Sequence, residues 1–144
     1  TGTGLAPFLA IIKDPETYAR FEHIVLVHGV RYQNDLAYAN YIRNELPRHE
    51  YLGEQITRQL HYVPVVSREP FALHGRATDL LANGAIPASI KLPALNPETD
   101  RAMICGSPQM LTDFREILNS RGFQASSKIG QPGHYVFERA FVEK

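Results

Sequence analysis

HIVLVHGVR, residues 23–31, begins with a compact run of β-branched and apolar residues that stops at a glycine. Its length and composition predict a buried strand over His23–His28, ended by Gly29. Similar runs recur at Leu60–Val66, at Arg101–Cys105 (RAMIC) and at His134–Val142. Helical patterns alternate with them. Pro7–Lys13 reads as a short helix, with Pro7 at its first position, and Pro15–Phe21 as a second helical piece. Asn34 suits the N-cap of a helix running through Leu46 and stopped by Pro47, with Tyr38, Tyr41, Ile42 and Leu46 on one face. Ser107 suits the cap of a helix that Pro108 begins and that turns Met110, Leu111, Phe114, Ile117 and Leu118 inward. Strands alternating with helices imply an α/β fold, a parallel sheet with helices on both faces.

Composition narrows the function. The chain has 144 residues, the size of one domain, with 44% apolar and 21% charged residues and zero formal net charge. A nucleic-acid footprint is not expected from that balance. Nothing reads as a membrane span or a signal peptide, and the single cysteine, Cys105, fits a reducing compartment. A cytoplasmic protein is therefore expected; a monomer is also expected, although composition does not read the oligomeric state. The six histidines show no metal-ligand spacing, so no metal site is expected, and His28 and His134 read as structural. Of the 15 basic residues 11 are arginine, the side chain whose rigid fork suits phosphate, although a GC-rich genome gives the same bias.

In such sheets ligands bind beyond the carboxyl ends of the strands. The residues there are Val30–Arg31, Ser67–Arg68 and Gly106–Ser107–Pro108, together with the chain's end. An NAD-binding sheet usually carries an acid after its second strand, whereas a 2′-phosphate favours arginine. HIVLVHGVR offers no acid before Asp35, and Arg31 is placed to meet a phosphate, with Arg68 and Arg76 following the next strand. NADP is accordingly expected over NAD. The opening TGTGLAPF sets Gly2 and Gly4 before a helix, a turn able to approach a phosphate, although the third glycine of the dinucleotide fingerprint is replaced by Pro7. A phosphate turn also needs a strand leading into it, so a longer parent polypeptide is expected. Cys105, just before a helix N-terminus, is either a reactive thiol or a small buried hydrophobe, and a thiol that gives shape beside a ligand is favoured over a covalent nucleophile. In HYVFERAFVEK, Tyr135, Phe137, Arg139 and Phe141 share one face, and Val136, Glu138, Ala140 and Val142 the other.

Five motifs together resemble the bacterial ferredoxin (flavodoxin)–NADP reductases: TGTGLAPF, LVHGVRYQNDLAY, VVSREP followed by GRATDLL, MICGSPQML, and PGHYVFERAFVEK. They run the whole chain in order. The resemblance implies that residues 1–144 are the NADP-binding domain of such an enzyme. That domain is a parallel five-stranded, doubly wound, Rossmann-like sheet, here without its first strand and the preceding FAD-binding β-barrel. It implies FAD and NADP as cofactors, ferredoxin or flavodoxin as partner, and hydride transfer between NADPH and FAD coupled to single-electron transfer. On matching positions it implies that Thr1, Gly2, Thr3 and Gly4 lie near the pyrophosphate, nicotinamide and flavin. Val30, Arg31, Ser67, Arg68 and Arg76 would hold the 2′-phosphate end, and Gly106, Ser107 and Pro108 would line the nucleotide path. Cys105 and Glu138 would stand at the hydride-transfer site, with Ala140 and Phe141 against the flavin. Two other readings remain open: another NADPH-dependent flavin reductase, or a non-catalytic NADP-binding module.

Overall fold

The computed structural model describes residues 5–126 and 133–137. The chain divides into two compact units, Thr1–Ala77 and Thr78–Lys144.

The first unit opens with α1 (Leu5–Ile12), which starts two residues before Pro7. Proline still falls in the first turn, where backbone N–H groups have no intrahelical partner. Helix α2 (Pro15–Arg20) begins where the Asp14 carboxylate accepts the Glu16 N–H at 2.9 Å and Pro15 presets the turn. Strand β1 (Ile24–Val30) and strand β2 (Leu60–Val66) pair in parallel from Ile24↔Leu60 to Val30↔Val66. Between them helix α3 (Gly53–Gln59) provides the return. The Gln59 side-chain amide donates to the carbonyls of Tyr18, Phe21 and Glu22, which fastens the end of α2 to the start of β2. Leu9, Ile12, Leu26, Ile42, Leu46 and Ile56 form the centre of this unit's core.

The helix expected over residues 34–46 is not formed as one element. Gln33–Asp35 make a single 3-10 turn, Tyr38 adopts φ +67°, and Tyr41–Glu45 form a π-helical turn followed by a 3-10 turn at Leu46–Arg48. A left-handed residue cannot continue a right-handed helix. Pro47, whose ring clashes with the carbonyl four residues back in an α-helix, is accommodated by this widening. Ile42 and Leu46 are buried as expected, but Tyr38 is 57% exposed.

The second unit contains α4 (Ala77–Ala82, from the last residue of the first unit), α5 (Ala85–Ser89), β3 (Ala102–Ile104), α6 (Pro108–Ser120) and β4 (Tyr135–Phe137). Strands β3 and β4 pair in parallel, Ala102↔Tyr135 to Ile104↔Phe137. Ser107 caps α6 as expected, its hydroxyl accepting the Met110 N–H at 3.2 Å. Phe114 and Leu118 are buried, and the Tyr135 hydroxyl donates to Asn119 at 2.7 Å, which fixes α6 against the sheet. The last strand's expected continuation past Phe137 lies outside the described residues.

Among the described residues every strand pairing is parallel, and helices separate the strands in sequence. The fold is α/β with parallel strands.

Candidate nucleotide site

Strand pairing in the first unit continues past the formal end of the sheet. The Ser67 N–H donates to the Val30 carbonyl at 3.0 Å and the Arg68 N–H to the Arg31 carbonyl at 2.9 Å. Val30–Arg31 and Ser67–Arg68 therefore stand side by side at the carboxyl ends of adjacent strands, roughly 5 Å apart. The half-buried Ser67 hydroxyl lies 3.5 Å from the Val30 carbonyl, and both arginines are exposed. Neither the His23–Glu22 pair nor the Arg58–Glu54 pair involves them.

The segment after β2 folds back on the strand. Val66 N–H donates to Leu73 at 3.1 Å and Gly75 N–H to Val66 at 2.9 Å. Gly75 makes the return at φ +140°, a conformation open to a residue without Cβ. That return carries the exposed Arg76 back to the end of β2, so all three arginines belong to one strand-end region of this unit.

In the second unit Cys105 follows β3 directly and is a free thiol, 4% exposed. Gly106 is half-buried against the Met110 thioether, and Ser107 and Pro108 are exposed at the start of α6. This strand-to-helix turn has the expected composition and cap. The buried thiol packs as a small hydrophobe. Thr1, Gly2, Thr3, Gly4, Glu138, Ala140 and Phe141 lie outside the described residues.

Histidines expected to be structural are so. His28 is 2% exposed, with Nδ1 2.9 Å from the Tyr62 hydroxyl, and burial lowers its pKa to about 4, so the ring is neutral. His134 accepts the Gln124 N–H at 2.8 Å.

A residue not singled out from sequence also belongs here. The Glu69 carboxylate accepts the backbone N–H of Gln33, and the Gln33 side chain donates to the Pro70 carbonyl at 3.2 Å. Its position directly after Arg68 was the available signal.

Arginine and serine at hydrogen-bonded parallel strand ends are groups suited to an anionic ligand, and the comparison with known families supplies the class. The chain belongs to the oxidoreductase NAD-binding domain family, which matches residues 1–116.

Within that family it is 55% identical over 144 residues to the ferredoxin–NADP reductase of Pseudomonas aeruginosa, covering 100% of this chain and 56% of that protein. It is 54% identical over 144 residues to the ferredoxin–NADP reductase of Azotobacter vinelandii, again 100% of this chain and 56% of the relative. The crystal structure of a ferredoxin NADP+ reductase from Neisseria gonorrhoeae with bound FAD and NADP superposes with a TM-score of 0.77 at 32% identity, over 95% of this chain and 52% of that one. The chain thus spans about half the length of the relatives it matches.

Proposed function

We propose that residues 1–144 form the NADP-binding domain of a ferredoxin/flavodoxin–NADP reductase. In this reading the domain is a doubly wound five-stranded parallel sheet in a cytoplasmic, monomeric enzyme. The observation that carries the proposal is the hydrogen-bonded juxtaposition of Val30–Arg31 with Ser67–Arg68, with Arg76 returned to the same strand end. The names of the relatives, and the FAD and NADP bound in the Neisseria structure, support it.

The residues present fit the adenosine phosphate end of NADP. Arg31 and Arg68 offer forked donors suited to a phosphate, and Ser67 adds a hydroxyl. The strand between His23 and Val30 places no carboxylate where a 2′-hydroxyl would be read. The dinucleotide and a flavin supply the hydride and electron chemistry. The chain's own part is to bind and align. Arg31, Ser67, Arg68 and Arg76 anchor the 2′-phosphate; Gly106, Ser107 and Pro108 line the nucleotide path; Cys105 shapes the nicotinamide position without forming a bond. Thr1–Gly4, Glu138, Ala140 and Phe141 complete the reacting end, as the family likeness implies, and ferredoxin or flavodoxin exchanges single electrons with the flavin.

Replacing Arg68 with alanine tests this. Loss of a charge-assisted hydrogen bond should weaken NADPH binding by about 1.5–3 kcal/mol and leave NADH binding nearly unchanged. Equal losses for the two nucleotides would refute the assignment.

A further inference from the structure

We infer that Glu69 is a positioning residue for the 2′-phosphate cradle, a role that rests on the NADP reading of the same strand ends. Beyond Val30 and Val66 the regular strands end, and the pairing reaches the arginines through only a short continuation of the ladder. Two kinds of tie cross between those segments. One is main-chain: Ser67 to Val30 and Arg68 to Arg31. The other is made by side chains at the next step outward, where the Glu69 carboxylate accepts the Gln33 N–H and the Gln33 amide donates to the Pro70 carbonyl at 3.2 Å. Glu69 is itself anchored from the far side of its loop, since its carbonyl lies 2.8 Å from His74 Nδ1.

Each link has a consequence for the ligand. Gln33 is two residues after Arg31, and Glu69 is the next residue after Arg68. Fastening Gln33 to Glu69 fixes the span between the two guanidinium stems. A cradle ordered before the nucleotide arrives avoids the entropy cost of ordering two loops on binding. The carboxylate is suited to this task because a charged acceptor makes a stronger bond to a backbone N–H than a neutral one does. Glu69 therefore acts through Arg31 and Arg68, and its effect falls on the 2′-phosphate and not on the rest of the nucleotide.

The test titrates this chain and its Glu69→Ala and Glu69→Gln variants with 2′,5′-ADP and with 5′-AMP, and follows amide exchange at Gln33. The expected result for Glu69→Ala is about tenfold weaker 2′,5′-ADP binding with 5′-AMP unchanged, the scale of one lost hydrogen bond. Faster exchange at Gln33 should accompany it. Glu69→Gln keeps an acceptor oxygen but loses the charge, and should recover part of the affinity. Unchanged 2′,5′-ADP binding in Glu69→Ala would overturn the inference, as would equal losses for both nucleotides. If the unsubstituted chain fails to prefer 2′,5′-ADP over 5′-AMP, the NADP reading falls and this inference with it.

Discussion

Cys105 and His28 show how burial assigns roles to side chains that could be reactive. Cys105 lies between β3 and the N-terminus of α6, a placement that can activate a thiol, yet it is sealed in the core. In a reductase polypeptide carrying these residues, Cys105→Ala should retain hydride transfer within roughly tenfold. That is well short of the roughly 10²–10⁴-fold cost of removing a proton-transfer group. Complete loss, with a thiol adduct trapped in the parent, would mean covalent chemistry. His28 carries a pH prediction. Its folded pKa of about 4 lies below the ordinary value of 6.5. Between those values the unfolded chain binds the proton and the folded chain does not, so stability present above pH 6.5 is lost as pH falls toward 4. The loss traceable to His28 is up to about 3 kcal/mol. Denaturation at pH 7 and pH 4.5 should show a smaller pH-dependent loss in His28→Gln than in the parent; equal losses would contradict it.

The elements divide into those specified locally and those set by tertiary context. Strand β2 falls on the residues expected and β1 within two residues of its expected span, because short, largely apolar runs rich in valine have few alternatives. Helix α6 was readable from its cap and from its apolar spacing alike. Ser107→Ala should cost about 1 kcal/mol of stability through the lost cap, readable by thermal denaturation; no change would mean that the cap is immaterial. The 34–46 segment departs from its expected helix because Tyr38's left-handed backbone and the widened turn before Pro47 leave no mark on apolar periodicity. Helices α3, α4 and α5 are five to seven residues long, too short for periodicity to reveal. Helix α3 depends on Gly53 instead, since a Cβ there would overlap the Pro47 carbonyl, a backbone atom that cannot swing away. Gly53→Ala should therefore destabilise by roughly 1–3 kcal/mol, whereas a general preference for alanine in helices predicts the opposite sign.

For the molecule as a whole, the arginine positions were readable because parallel sheets present ligands at strand ends, and strand ends can be located from sequence. What sequence could not supply was the tie between the two ends. The register that sets Arg68 N–H on the Arg31 carbonyl, and the Glu69–Gln33 bond outside it, exist only after β1 and β2 have paired. Under the proposed assignment this strand end reads a nucleotide bearing a 2′-phosphate. Titration of the chain with NADP+ and with NAD+ under identical salt decides the matter. At least a tenfold preference for NADP+, about the worth of one charge-assisted hydrogen bond, is the predicted result. Equal affinities would mean that Arg31, Arg68 and Arg76 read no phosphate, and would contradict the assignment of this strand end to NADP.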